Sequence, residues 1–380
     1  VKTLSAITLL SATLVFSACI YQPIRQVAKP AFTIAPTNTK PKAKPDSTLT
    51  IAAVGDIMLG TAYPNESTLP PDSGKHSFDA ALSELRSAVV TMGNLEGTLL
   101  DTGSPAPYKL RFIHKGYQFR MPTYYGKIIK DAGFDVLSLA NNHNNDFNYQ
   151  GRKSTIEVLD SLGINHGGQL TRPTSVFTVK GVKYGFVAFS PNAHVLPLLD
   201  LKNATRVISE LRTRCDILIV SFHGGGEGTE YEHVIRDMEL YMGEKRGDVY
   251  LFAHNAIDAG ADMVLGNGPH VQRAMELYKD RIIAYSLGNF CTYRCVSVEG
   301  ICGLSSVLKV KINRKGEFLS AKIHSFRQVR PYGLMRDTAN RAAARIKYLT
   351  ELDFPESGLS ISPDGAVTAL PKVVLAAVKQ

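Results

Sequence analysis

Asp56, Glu96, Asn142, His143, His223, Asn267 and His270 have the types and placement in this 380-residue chain that could do chemistry together. Each closely follows an apolar run of strand length. Gly55-Asp56 follows the first such run, Gly93-Asn94-Leu95-Glu96 the second and Asn141-Asn142-His143 the third. His223-Gly224-Gly225-Gly226-Glu227 and Gly266-Asn267-Gly268-Pro269-His270 follow two later ones, and Ser286-Leu287-Gly288-Asn289-Phe290 ends another. Ligands of open α/β sheets bind beyond the carboxyl ends of strands, so these motifs would converge on one edge. The glycines allow the sharp turns that convergence needs. Carboxylate oxygens, an amide oxygen and neutral imidazoles form a mixed O/N donor set that suits Mn, Fe or Zn. No thiolate joins them, which argues against a closed structural zinc. Ser221 and Ser286 lie outside any Gly-x-Ser-x-Gly turn, and no glycine-rich phosphate cradle occurs.

Taken singly, each residue has a blander reading. Asp56 could cap a following segment, Glu96 could sit in a surface turn, and Asn141 and Asn142 could be turn formers. His143 and His270 alone would read as polar loop residues. Their shared strand-end placement favours one site. Glu227, Glu230 and His233 read as flanking a loop, and His114, His166, His194 and His254 as having no metal role. Arg111, beside Lys109, Phe112 and His114, reads as a solvated edge rather than a contact to an anionic substrate.

The elements that must position these residues alternate. Periodicity predicts strands over 49–54, 89–92 and 135–139, with helices over 78–88, 124–132 and 150–162, the last ended by Gly163. A hairpin over 175–189 turns at Lys180-Gly181. Helices over 204–214 and 249–258 precede strands over 216–221 and 262–265. The pattern then turns antiparallel, with strands over 275–278, 281–286, 305–312 and 319–325, the last two turning around Lys315-Gly316, before a helix over 337–352.

The remaining features concern compartment and charge. Lys2 precedes an apolar stretch from Leu4 to Phe16, too short for a permanent span but right for a secretory signal. Ser17-Ala18-Cys19 resembles a bacterial lipobox, with Phe16 where Leu is usual, and implies cleavage before Cys19 and lipidation there. Val1 is what a non-ATG start codon read literally would leave, consistent with a bacterial source. Residues 1–18 thus read as a signal peptide and 19–47 as a Pro- and Lys-rich tether without apolar period. Residues 48–330 read as the folded domain, and 331–380 as a C-terminal helix and tail. The expected location is across the inner membrane, lipid-anchored in the cell envelope. Of the formal net charge of +9, six basic residues opposed only by Asp46 place +5 in the signal and tether. The +4 left for the domain is a weak bias, compatible with polyanions or anionic membrane surfaces. No basic cluster with interleaved aromatics occurs, so nucleic acid is not an expected partner. Cys291, Cys295 and Cys302 are close enough in sequence for a local disulfide, whereas Cys215 reads as buried and inert.

Gly55-Asp56-Ile57-Met58, Gly93-Asn94-Leu95-Glu96, Asn141-Asn142-His143, His223-Gly224, Gly266-Asn267-Gly268-Pro269-His270 and Tyr285-Ser286-Leu287-Gly288-Asn289-Phe290 occur here in that order. In this order and over residues 49–328 they resemble the CapA capsule-synthesis family. Those proteins are associated with poly-γ-glutamate capsules and are distantly related to calcineurin-like metallophosphoesterases. The resemblance implies a four-layer α/β/β/α sandwich with mixed sheets. It also implies that Asp56, Glu96, Asn142, His223 and His270 bind metal, with Glu96 bridging, and that His143 protonates a leaving group. Met58 replaces a His usual in phosphoesterases. Asn267 stands where most relatives carry a His, so that position is a weakened second-metal ligand. The consequence would be a mononuclear site, a site for a harder metal such as Mg or Mn, or no catalysis. Three functions follow. One is a lipid-anchored capsule biosynthesis or export factor that works with capsule-synthesis membrane proteins on an anionic polymer. Another is a metal-dependent hydrolase of a phosphate ester or amide bond. The third is a periplasmic lipoprotein that captures an anionic solute.

Overall fold

The computed structural model describes residues 48–110, 117–330 and 333–371. The expected signal, the tether with Cys19, and Arg111 and His114 lie outside the described residues. The chain passes through β1 (Thr48–Met58), α1 (Leu82–Arg86), β2 (Val90–Leu95), β3 (Thr98–Leu99), α2 (Pro107–Leu110) and β4 (Arg120–Met121). It continues through α3 (Tyr125–Ala132), β5 (Val136–Ser138), α4 (Asn148–Ser161), β6 (Asn165–Gly167), β7 (Thr174–Val179) and β8 (Val182–Phe189). Next come α5 (Leu201–Arg212), β9 (Ile217–His223), β10 (Glu239–Tyr241), β11 (Glu244–Gly247), α6 (Val249–Asp258) and β12 (Met263–Asn267). After them lie β13 (Met275–Tyr278), β14 (Arg281–Ala284), β15 (Asn289–Thr292), β16 (Leu304–Asn313), β17 (Phe318–Val329) and β18 (Gly333–Arg336). The last elements are α7 (Arg341–Asp353), β19 (Leu359–Ile361) and β20 (Ala366–Ala369).

Two mixed sheets result. The larger has the order β19-β20-β17-β16-β1-β2-β5-β6, with β15 beside β1 and β18 beside β17; the other runs β13-β14-β12-β9-β8-β7. β1, β2, β5 and β6 are parallel, as are β8, β9, β12 and β14. Alternation along β1 then sorts its side chains between faces. Ile51 and Ala53 pack with Met92, Val136, Phe186, Ile219 and Leu265 in the core between the sheets. Ala52 and Val54 face the other way, against Leu85, Ile129 and Leu159 of the helical layer. On the far side, Ile208, Leu211, Phe252 and Ala256 of α5 and α6 cover Leu218, Val220 and Val264. These three apolar seams separate four layers, the α/β/β/α sandwich expected.

The departures from expectation are local. The helix expected over 78–88 is a 3₁₀ turn, Asp79–Ala81, followed by a five-residue helix, Leu82–Arg86. The helix expected from 204 begins at Leu201, since the Asp200 carboxylate accepts from the Asn203 amide at 3.0 Å. Residues 331–380 contribute α7, packed on β17, and the pair β19 and β20 that extends the larger sheet. Cys215, Cys291, Cys295 and Cys302 are free thiols, which corrects the local disulfide. The Cys291 thiol instead donates to the Ser77 carbonyl at 3.3 Å inside the outer apolar seam. Cys215 is half-buried rather than buried. No helix among the described residues is long and apolar enough to cross a membrane.

Candidate metal centre

Strand register assembles the site. Asp56 lies opposite Asn94 on β2 and, on its other side, opposite Asn289 on β15. That double pairing needs a close backbone approach, and Gly55 supplies it: a Cβ there would sit 1.8 Å from the Gly288 carbonyl oxygen. On the second sheet Asn267 lies opposite His223. Gly268, at φ +122°, then turns the chain against Gly224, and His270 itself adopts φ +61°. A left-handed non-glycine backbone costs about 1–2 kcal/mol, so the surrounding contacts must hold His270 there.

Those contacts are polar and buried. His270 Nδ1 lies 3.0 Å from Asp56 Oδ2 and 3.1 Å from Asn289 Oδ1, and its Nε2 lies 3.6 Å from Glu96 Oε1. Asp56, Glu96 and His270 each offer a ligand atom within 4.8 Å of the others. Asn94 donates to Asp56 Oδ1 at 2.8 Å and approaches His223 Nδ1 at 3.4 Å, linking the two sheets. Asn141 donates to Asn94 Oδ1 at 3.1 Å, and its own oxygen accepts from the His143 amide at 3.1 Å. His143 Nδ1 is 2.7 Å from Asp146, whose other oxygen is 2.7 Å from Lys109 Nζ. Phe119 stacks on the His143 ring at 4.1 Å, and His143 Nε2 is left 4.0 Å from Glu96 Oε1.

Burial governs protonation. It pushes the Glu96 carboxyl well above its ordinary range, against the opposing pull of His270. His270 is pushed up to about 10: burial works against its charged form, but the Glu96 and Asp56 carboxylates outweigh it. Burial drives His223 well below the usual imidazole range, with Arg246 and His270 adding to it, so His223 stays neutral and competent as a ligand. Burial also lowers His143, partly offset by Asp146.

The donor atoms test whether a cation fits. Both carboxylate oxygens of Glu96, Asn142 Oδ1, His223 Nε2 and both side-chain heteroatoms of Asn267 are buried without a hydrogen-bond partner among the described residues. An orphaned buried polar group costs about 1–3 kcal/mol. Carboxylate, amide oxygen and neutral imidazole are metal donors. The residues present fit a divalent cation.

Each sequence-predicted site residue can now be placed. Asp56, Glu96 and His270 are in mutual reach, while His223 and Asn267 sit side by side on the second sheet. Asn142 Nδ2 points to Glu227 Oε1 at 3.5 Å, which corrects the reading of Glu227 as a loop flank. Glu227 also pairs with buried Arg246 at 2.7 Å. His233 pairs with Asp353 instead, and His166 and His254 with Asp160 and Glu276. Met58 is fully buried, its sulfur accepting from the Gly60 amide at 3.3 Å, so it offers no ligand. Sequence reasoning did not assign Asn94, Asn289 and Asp146. The first two follow glycines in strand-end motifs like the others, and Asp146 lies three residues from His143; those spacings were the available signal.

A sequence model described as the bacterial capsule synthesis protein PGA_cap matches residues 50–294. The chain is 29% identical over 289 residues to the PGA biosynthesis protein CapA of Bacillus subtilis, covering 70% of each. It is 26% identical over 268 residues to the capsule biosynthesis protein CapA of Bacillus anthracis, covering 66% of this chain and 61% of that one. Among solved structures, a hypothetical protein from Thermus thermophilus aligns with TM-score 0.45 and 15% identity over 73% of this chain and 99% of its own. A 5'-nucleotidase precursor from the same organism aligns with TM-score 0.42 and 13% identity, covering 83% of this chain and 61% of its own.

Proposed function

The chain belongs to the PGA_cap family of bacterial capsule synthesis proteins, and from that premise we propose a cell-envelope lipoprotein of capsule biosynthesis or export with a divalent-metal site. The polymer handled is anionic, of the poly-γ-glutamate kind. The chain is secreted, anchored through Cys19, and works beside capsule-synthesis membrane proteins. One observation carries the metal site: the orphaned buried donors belong to Glu96, Asn142, His223 and Asn267, at the strand ends that also carry Asp56 and His270. Asp56, Glu96, Asn142, His223 and His270 would hold the ion, and Asn267 would contribute a weaker amide oxygen. Metal content of the purified protein after incubation with Mn, Zn, Fe or Mg tests this. About one tightly held ion per chain is expected, lost in Asp56→Ala. No retained metal under any of the four would end the metal-site reading. Labelling with a radioactive fatty acid, lost in Cys19→Ser, tests the anchor.

A second reading, a metal-dependent hydrolase of a phosphate ester or amide bond, is favoured by the His143–Asp146 pair. Asp146 fixes the Nδ1 proton, Phe119 holds the ring plane, and Nε2, unprotonated in the neutral ring, remains on the Glu96 side, placed to take up a proton and pass it to a leaving group. A divalent ion would supply Lewis-acid polarisation of a substrate oxygen there. Loss of hydrolysis in His143→Ala at unchanged metal content is the expected result. A wild-type protein holding metal yet inert toward chromogenic phosphodiesters and γ-glutamyl amides would leave the non-catalytic reading.

A further inference from the structure

Where β15 ends, the chain leaves the metal site and enters a cavity of about 620 Å³ lined by Thr68, Tyr117, Tyr293, Arg294, Cys295 and Arg330. Two routes tie this cavity to the site. The first is the strand itself. Asn289 lies opposite Asp56, and pairing continues through Thr292 opposite Met58 to the Tyr293 amide, which donates to the Met58 carbonyl at 2.9 Å. A rise of about 3.3 Å per residue puts Tyr293 about 13 Å along from Asn289. The second is aromatic: Tyr117 stacks on Phe119 at 6.1 Å, and Phe119 stacks on His143 at 4.1 Å.

The cavity's charge is one-sided. Arg294 donates to the Ser67 carbonyl at 3.2 Å, and Arg330 donates to the Val296 carbonyl. Among the described residues neither guanidinium forms an ion pair with a carboxylate. Each bond uses one of five guanidinium N–H donors, so both forks keep donors for an anion. The backbone is also set unusually here: Arg294 and Cys295 are successive left-handed residues, at φ +55° and +58°. Such a tandem costs of order 1–3 kcal/mol per residue and is retained where it aims a side chain. Tyr293 and Tyr117 provide flat walls against which an extended chain can lie.

We infer that Arg294 and Arg330 form a second anion subsite that holds a carboxylate of an acidic polymer while another stretch of that polymer lies at the metal site. The inference deepens the capsule-polymer reading and rests on it. Guanidinium forks match carboxylates in bidentate geometry. Four strand residues lead from Asn289 to Tyr293, so a ligand engaging both sites must be longer than a single glutamate, and the pair selects length.

Titration of the metal-loaded protein with poly-γ-glutamate fragments of about ten units, with free glutamate, and with polyphosphate tests the subsite. Arg294→Gln and Arg330→Gln should each weaken fragment binding about 5-fold, and the double variant more than either but by less than the product of about 25-fold, since the two share one carboxylate. Arg294→Lys should restore part of the loss, and Lys311→Glu, on β16 away from the cavity, should leave affinity within about 2-fold. Free glutamate, which can fill only one site at a time, should bind wild type far more weakly than the fragments do. Unchanged fragment affinity in both folded Arg variants, an equal loss in Lys311→Glu, or no fragment binding by wild type would overturn the subsite. Polyphosphate binding tighter than the fragments, with the same arginine dependence, would overturn its assignment to carboxylates. Metal content read on the same samples keeps the two claims apart, since retained metal with arginine-independent polymer binding removes the subsite and leaves the metal centre standing.

Discussion

The two sheets contribute to the candidate site in different ways. On the larger sheet Asp56, Asn94, Asn141, His143 and Asp146 form a connected hydrogen-bonded chain that ends on Lys109. On the smaller sheet His223 Nε2 and the Asn267 amide are buried with no partner among the described residues. That network is held by protein partners, whereas His223 and Asn267, like Glu96 and Asn142 at the ends of larger-sheet strands, present atoms left for a ligand or water to satisfy. His270 spans the two, since its motif follows the smaller sheet while its ring pairs with Asp56 and Glu96 of the larger. A preassembled half sets geometry and a bare half sets affinity, so substitutions on the two sides should fail differently.

The largest effect is expected at Asp56. Asp56→Ala strips a fully buried carboxylate of its roles toward Asn94 and His270, leaving both without that acceptor. Breaking one partner of a buried pair costs about 3–5 kcal/mol. Chemical denaturation of the chelator-treated protein should show that loss even without metal, together with metal content near zero. A metal-free stability equal to wild type would erase the distinction between the halves.

His223→Gln should behave in the opposite way. Because His223 Nε2 has no partner among the described residues and Nδ1 is a long 3.4 Å from Asn94, little native bonding is lost. Metal-free stability should change by less than about 1 kcal/mol, while metal affinity falls about 10- to 100-fold. Calorimetric titration with Mn or Zn reads the second quantity. Equal losses in both measurements would show that His223 is a structural residue like Asp56.

How much of this was legible before the fold differs by half as well. The convergence of Asp56, Glu96, His223 and His270 could be read because each follows a buried apolar strand, and parallel strands bring such ends to one edge. The four layers were implied by the family resemblance, while periodicity gave only the alternation of strands and helices. What stayed hidden was pairwise. Asn94 shares a motif with Glu96, and only register shows it opposite Asp56. Lys109 and Asp146 are 37 residues apart, and nothing local announces their 2.7 Å contact. Glu227 reads as a loop residue until Arg246 and Asn142 are placed beside it. A cap explains one boundary: the aspartate at 200 moved a helix start by three residues.

Asn267→His sharpens the comparison from the bare side. Asn267 is fully buried and pairs with His223 across β12 and β9. An imidazole is a stronger first-row metal donor than an amide oxygen, so affinity for Zn or Mn should rise about 10-fold. Overpacking at that position would cost about 1–3 kcal/mol of metal-free stability. Tighter metal binding with lower apo stability is the signature expected of a ligand position. Weaker binding at unchanged fold would place Asn267 outside the coordination sphere.

The smallest effect tests the satisfied half at its far end. The Asp146 carboxyl is held below its ordinary range: burial opposes ionisation, but His143 and Lys109 prevail, and the Phe119 amide donates to it at 2.8 Å. Because burial keeps His143 largely neutral, Lys109 is the cation that counts near pH 7. A carboxyl depressed on folding contributes stability that is present above its unfolded value of about 3.9 and lost as pH falls through the folded one. Lys109→Met removes one source of that depression, so the acid-unfolding midpoint should move upward by a few tenths of a pH unit, with about 1 kcal/mol lost at pH 7. Metal content should not change, because Lys109 reaches the centre only through Asp146 and His143. An acid limb identical to wild type would detach Lys109 from the network, and a loss of metal would show that the satisfied half also tunes affinity.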